Sequence, residues 1–465
     1  MARIIPGVEV TVVKDVVPPQ LAPAGVLGLV GLTELAPAAA VRAASWSAFV
    51  GALGRASAYS LPEAKQALAN GVFELVIAPV AGVAESAKVA LAATAGAGTW
   101  DLVARAPGPW ANGLTIRLAA RGERFDLEIR RPGARDPLEV HRNLTGATLA
   151  DRLAADSAIV TAKAPAAVAG AVPAPKLAAL PPGTDPANST ANDHALAGGK
   201  DASGDDYAKA LRALEDEPDV DLVLVAPQDF SDLAKIEGIY AEAVSHCERL
   251  SRDGKGRIGF GQVPPDPATP QAVKTFVDMA SPLISDRFVL TAPYGVAGAV
   301  AGRVGSLSYF QSPTFKLLTG LGGLARALTQ EEQGELLKGN VVPVVNQRGR
   351  GIFVLRGLTT DGDQISVRRV ADRAVRGVQM LGDLFIGRLN NEDGRGALKQ
   401  KLIEFLVQME KDGAIVPSTD GKDPSHKVDV YSSQADFAQG IVRVDIAVRP
   451  VRAIDFIYAT ILVQV

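Results

Sequence analysis

Apolar positions recur along this chain with two periods. VEVTVV (8–13) alternates Val8, Val10 and Val12 with Glu9 and Thr11, the period of two expected of a strand. Three prolines in VVPPQLAPAG (16–25) then block regular structure, so the first strand is expected on a tethered arm. GVLGLVGL (25–32) and FELVIAPV (73–80) predict buried strands. Between them SLPEAKQALANG (60–71) predicts a helix, opened by proline and closed by Asn70-Gly71. DYAKALRALED places Ala210, Leu211 and Leu214 on one helical face, DVDLVLVA (219–226) predicts a buried strand, and 230–252 a long helix. RIGFGQV and RFVLTAP read as strands with a helix between them at about 268–280. LKQKLIEFLVQME (398–410) carries Leu398, Leu402, Phe405, Leu406 and Met409 on one stripe. In IVRVDIAVR (441–449), Val442, Val444, Ile446 and Val448 face one way and Arg443, Asp445 and Arg449 the other. Pro450 ends that strand, and DFIYATILVQV (455–465) predicts one more.

Strand–helix alternation over 26–87 resumes at 205, the spacing of a sheet covered by helices. Between these stretches, GLTIRLAA, RFDLEIRRPG and LEVHRNLT are short strands separated by turns. The expected fold class is therefore α/β (α+β): a mixed sheet covered by helices, a mostly β inserted domain, and extended strand arms at both ends. The expected division is an N-terminal arm at 1–25, the first part of the core at 26–87, the inserted domain at 88–204, the main α/β core at 205–452 and a C-terminal arm at 453–465. Within the insertion, 164–204 is rich in Ala, Pro, Gly, Asp and Asn without apolar periodicity, and a mobile surface loop is expected there.

Composition narrows the function. Apolar residues make up 47% and charged residues 21%, values of a globular protein. With 48 basic and 51 acidic residues the net charge is −3, which argues against a dedicated nucleic-acid surface and does little to keep copies apart. A single cysteine, Cys247, forms no intrachain disulfide and fits a reducing compartment. MARIIPGVEV shows no basic and apolar regions of a secretory signal, and LAPAGVLGLVGL (21–32) is too short to span a bilayer. Synthesis and folding in the bacterial cytoplasm, with no direct membrane insertion, are expected.

Candidate chemistry is sparse. GGKDASG (198–204) lacks P-loop spacing, and GLGGLAR (320–326) is not a dinucleotide fingerprint. His141, His194, His246 and His426 have no partners at metal-ligand spacing. His246 and Cys247 are helix neighbours pointing about 100° apart, so a structural cysteine is expected rather than a dyad. GSLSY (305–309) is not a nucleophile elbow, and NLT (143–145) and NST (188–190) lack the secretion context for glycosylation. No catalytic residue, cofactor or metal is predicted.

The unguarded terminal strand needs a partner, because an exposed apolar strand templates aggregation. Its own sheet and a neighbour's sheet both satisfy the sequence. Strands at both extremes would let copies of the chain knit by β-augmentation into an open helical array.

At this point the sequence resembles the sheath proteins of contractile phage tails and related injection particles. The resemblance is strongest in SYFQSPTFKLLTGLGGLARALTQEEQGELLKGNVVPVVNQRGRGIFVLRGLTT (308–360). It continues through SVRRVADRA (366–374), NNEDGRGALKQKLIEFLVQMEKDGAI (390–415) and VRPVRAIDFIYATILV (448–463). Weaker echoes are PGVEV (6–10), PGPWANGLTIRL (107–118) and LAGGKDASGDDYAKALRALE (196–215). Trp110-Ala111-Asn112 stands where the family commonly has Trp-Gly-Asn, and the 164–195 loop has no counterpart there.

The resemblance implies a structural subunit of a phage virion or phage-tail-like particle. Its partners would be identical subunits, six per ring in a helical stack, an inner tube protein, and baseplate and terminal cap proteins, with no nucleic acid. Contraction of a metastable sheath would drive the tube through a target envelope without nucleotide. Arms at 6–15 and 453–465 would cross to neighbours, with Val8, Val10, Val12, Phe456, Ile457, Tyr458, Ile461 and Val463 in the donated strands. Arg368, Arg369 and Arg373 would meet an acidic tube or a neighbouring subunit, or lie on a solvated helix face. One chain carrying both arms looks more like the phage-tail or extracellular-particle type than the two-protein sheath of type VI secretion. The alternatives are another self-assembling protein, of baseplate or surface-layer type, and a cytosolic α/β enzyme with a β insertion.

Overall fold

Strand β1 (Val26–Gly31) is buried along its whole length and sits in the middle of the main sheet. It belongs to a computed structural model that describes residues 24–458 except 95–97, 169, 182–183, 186–188 and 266–268. Strand β2 (Val41–Ala43) is followed by helices α1 (Trp46–Leu53), α2 (Ser57–Ser60) and α3 (Pro62–Ala69). Ser45 caps α1 by accepting from the Ala48 N–H, and Pro62 opens α3 at a position whose N–H has no helical partner anyway. Strand β3 (Glu74–Pro79) then pairs parallel to β1.

The chain next builds the inserted domain: β4 (Lys88–Ala92), β5 (Thr99–Ala104), β6 (Thr115–Arg121), β7 (Arg124–Arg130), β8 (Glu139–Leu144), helix α4 (Gly146–Asp156), β9 (Val160–Lys163) and β10 (Asp193–Ala195). These strands form two antiparallel sheets, β10-β6-β7-β8 and β4-β5-β9. Strict alternation in β7 buries Phe125, Leu127 and Ile129, and with Ile116, Leu118, Leu149, Leu153 and the fully buried Trp100 they make a separate core. The described part of 164–204 is not the expected mobile loop. Val172, Ala174 and Leu177 pack on this core, Trp100 Nε1 donates to the Pro173 carbonyl (2.9 Å), and the Ala178 N–H donates to Asn192 Oδ1 (2.6 Å). Small apolar side chains and individual polar bonds satisfy this segment without any period, so periodicity could not reveal its packing.

Helix α5 (Gly204–Ala213) returns to the core, with Ser203 and Asp206 in a capping box. Then come β11 (Leu222–Ala226), α6 (Leu233–Arg252), β12 (Ile258–Gln262), α7 (Pro270–Ala280), β13 (Phe288–Ala292), α8 (Ala297–Ser306), α9 (Gln330–Lys338), β14 (Val342–Gln347) and β15 (Gly351–Val354). Among the described residues the main sheet has eight strands in the order β15-β14-β13-β12-β11-β1-β3-β2. The strands from β14 to β3 run parallel, and β15 and β2 are antiparallel additions at the edges. Val223 and Val225 of β11 face the layer with Tyr207, Ile239 and Phe276, while Leu222 and Leu224 face Phe49, Leu61 and Val300. A sheet covered on both faces in this way needs strands apolar at every position. The fold is mixed α/β, as the periodicity implied.

Helix α10 (Ile365–Asp383) leads into α11 (Glu392–Lys411), β16 (His426–Tyr431), α12 (Gln434–Ala438) and β17 (Arg443–Val448). The described residues divide into two compact units, 24–373 with 450–458, and 374–449. In the smaller unit β16 and β17 form an antiparallel two-stranded sheet among the described residues. Val428, Val430, Val444 and Ile446 pack with Leu381 of α10 and with Leu398 and Leu402 from the apolar stripe of α11. Residues 451–458 have no regular structure, so the described part of the expected terminal strand is not a strand here.

Candidate assembly site

The loop 355–364 that leaves β15 is held rigidly. Thr360 donates its N–H to the Phe288 carbonyl (2.8 Å) and its hydroxyl to the Leu283 carbonyl (2.6 Å). Leu358 and Gln364 bridge across the loop, and the Thr359 N–H reaches the Asp363 carbonyl (2.9 Å). The loop therefore presents Arg356, Asp363 and Gln364 from a fixed frame.

The C-terminal tail docks on these three residues. Gln364, 5% exposed, donates Nε2 to the Ala453 carbonyl (3.0 Å) and accepts the Ala453 N–H on Oε1 (2.9 Å), as a paired strand residue would. Gln364 Nε2 and Arg356 Nε both donate to Asp455 Oδ2 at 2.9 Å, and Arg452 forks onto Asp363 (2.7 and 3.3 Å). The Arg356 guanidinium lies 5.3 Å from the Phe456 ring centroid. Beyond this clamp the apolar side chains are bare: Phe456 is 65%, Ile457 83% and Tyr458 94% exposed. Val8, Val10, Val12, Ile461 and Val463 lie outside the described residues. The clamp residues escaped sequence reading, although Arg452 and Asp455 bracket the start of the apolar run and carried the available signal.

The three candidate basic residues of α10 lie in different settings. Arg368 pairs with Asp286 (2.7 Å) and Asp372 (3.3 Å). Arg369 is 5% exposed and donates to the Val304 and Leu307 carbonyls (2.8 and 3.2 Å); burial pulls its guanidinium below the usual range. This places Arg369 inside the fold. Arg373 sits 5.6 Å from the Tyr309 ring centroid. Asp372 also receives both Nη atoms of buried Arg287 at 3.0 Å, so the helix is tied to the start of β13.

His246 and Cys247 are buried side by side on α6 but form no dyad. Arg257 donates to His246 Nε2 (2.9 Å), and burial, then this neighbouring charge, hold the imidazole down at about 3. Burial pushes the Cys247 thiol up to about 12. Among the described residues no cluster of His, Cys, Asp and Glu is arranged to hold a metal ion, and no helix is long and apolar enough to cross a membrane.

Comparison with known proteins fits this architecture. The model of the phage tail sheath protein central domain matches residues 200–360, and that of the phage tail sheath C-terminal domain matches 359–464, together more than half of the chain. The chain belongs to the phage tail sheath family. Among solved structures, this sheath protein is similar to the sheath tail protein of Listeria innocua (16% identity, 93% of each chain, TM-score 0.53). It is also similar to the contracted helical sheath of the anti-feeding prophage (14% identity, 99% of each chain, TM-score 0.53). The contracted sheath of the PVC extracellular contractile injection system shares 13% identity over 99% of this chain and 98% of that one, with a TM-score of 0.56. No curated protein sequence matches significantly. At these identities the likeness establishes the fold.

Proposed function

We propose that this sheath protein is the repeating unit of a contractile helical tube, built from six-membered rings stacked around an inner tube and joined to baseplate and cap proteins. It assembles in the bacterial cytoplasm as part of a phage virion or phage-tail-like particle, and its role is structural rather than catalytic. The observation that carries this reading is the tail: clamped by Gln364, Arg356 and Asp363, it then extends Phe456, Ile457 and Tyr458 into solvent without a strand partner. The acceptor in this reading is an edge of the β16–β17 sheet. The β16–β17 hairpin has both edges unpaired among the described residues, while one face is already covered by α11. Donation of the arms at 6–15 and 453–465 to such an edge on another copy supplies generic backbone adhesion and a non-closing array.

Contraction is then a change between two packings of a largely rigid body, with the arms as hinges. An extra ~400 Å² of apolar burial per subunit in the contracted packing is worth on the order of 10 kcal/mol, and many rings add up to mechanical work. The test is removal of 456–465. The truncated protein is expected to remain a folded, soluble monomer with unchanged thermal unfolding and to form no tubes in negative-stain microscopy. Tubes of normal length from the truncated chain overturn strand donation. Flat arrays or discrete closed particles from the intact chain overturn the sheath itself.

A further inference from the structure

The main sheet changes its direction of growth between β1 and β11. From β1 the chain proceeds to β3 on one side, and from β11 to β12, β13 and β14 on the other. At such a reversal the connecting helices lie on opposite faces, which leaves a crevice at the carboxyl ends of the strands. In this protein the crevice is a cavity of about 130 Å³ beside Ala226, the last residue of β11. Its lining includes Tyr59, Glu63, Trp110, Gln228 and Tyr294.

The lining is built from both parts of the unit. Trp110, from the inserted domain, stacks on Tyr59 at 5.8 Å between centroids and 16° between planes, and its Nε1 donates to the Ala106 carbonyl (3.1 Å). Gln228 ties the pieces together: Oε1 accepts the Trp110 N–H (3.3 Å) and Nε2 donates to the Ser60 carbonyl (2.7 Å). Glu63 is 5% exposed. Its Oε1 accepts from Gln262 Nε2 (3.1 Å), and Gln262 is itself fixed by the Gly295 N–H on its own Oε1 (3.0 Å). No lysine, arginine or histidine of the described residues pairs with this carboxyl, and burial raises its pKa. A buried carboxyl without a cation is costly when ionised. Three aromatic side chains, Tyr59, Trp110 and Tyr294, line the same cavity, and aromatic faces attract cations.

We propose that this cavity binds a small organic ammonium ion, its charge against the Glu63 carboxylate and its carbon groups against Tyr59, Trp110 and Tyr294. The size agrees: an apolar cavity of about 150 Å³ holds a benzene ring, so about five or six heavy atoms fit here. The same chemistry is offered by a free amine and by a lysine side chain from a second copy.

Tetramethylammonium is the probe, followed by saturation transfer to its methyl signal on the full chain, with tert-butanol as a neutral molecule of the same heavy-atom count. Saturable binding of the ammonium is expected, at least tenfold tighter than tert-butanol and at least tenfold weaker in Glu63→Gln. Trp110→Ala, which removes only the half-buried cover from the inserted domain, is expected to weaken binding by a similar factor and serves if Glu63→Gln misfolds. Absence of saturable binding, equal binding of tert-butanol, or unchanged affinity in Glu63→Gln overturns the proposal. Uptake lost when the protein is assembled assigns the ammonium to a lysine of a second copy; equal uptake in both forms assigns it to a free amine.

Discussion

At the scale of single residues, the buried charges decide what the fold tolerates. Arg257 is fully buried, and because a guanidinium only donates, its bond to His246 fixes Nε2 as the acceptor and puts the imidazole proton on Nδ1. The folded imidazole stays neutral down to about pH 3, whereas the unfolded chain takes up a proton below its ordinary 6.5. The stabilisation is complete above pH 6.5 and is lost progressively as pH falls toward 3. His246→Gln, which keeps an acceptor for Arg257, should flatten the decline in urea-unfolding stability between pH 7 and 5; an unchanged slope refutes the assignment. The Arg287–Asp372 fork is a second buried element, both residues being 8% exposed. Asp372→Ala leaves Arg287 buried without its carboxylate and should cost about 3–5 kcal/mol. Asp372→Ala combined with Arg287→Met should recover part of that loss in the denaturation midpoint.

At the scale of elements, helix contact is set by small residues. A Cβ on Gly298 would lie 2.5 Å from the Glu63 carbonyl oxygen, and one on Gly302 would lie 2.5 Å from the Cα of Ala67. The α3–α8 contact is therefore backbone against backbone, and nothing flexible can give way. Gly302→Ala should destabilise by about 1–3 kcal/mol through overpacking, although alanine is the better helix former. Thermal unfolding of this variant against Gly396→Ala in α11, where the added Cβ meets nothing within 4 Å, separates the clash from propensity. The core strands were legible in sequence because burial on both faces demands continuous apolar runs, as in 25–32 and 219–226. The stripe of α11 was legible for the corresponding helical reason. The segment 164–204 was not, because it packs through Trp100, Pro173 and Asn192 rather than through any repeat.

At the scale of the whole molecule, the tail has a rigid root and an apolar tip. Gln364→Ala removes both bonds to the Ala453 backbone and one to Asp455 without touching Phe456–Tyr458. If the root orients a donated strand, this variant should still form tubes but assemble at least several-fold more slowly, as read by light scattering, whereas loss of 456–465 abolishes tubes outright. Equal assembly by Gln364→Ala and the parent chain would show that the root only tethers.

By itself the sequence determined the α/β class, the five adjacent strands from β13 to β3 and several amphipathic helices, because burial at a fixed period writes itself into residue order. It also marked 455–465 as an apolar run in need of a partner and made the chain's family resemblance readable. Only the tertiary structure decided which polar residues meet. Gln364 and Asp455 are separated by 91 positions, and Glu63 and Gln262 by 199. Arg369 is buried against Val304 and Leu307 despite its charge. Hydrogen bonds and ion pairs of this range carry no period, so their partners exist only once the sheet has brought its strand ends together.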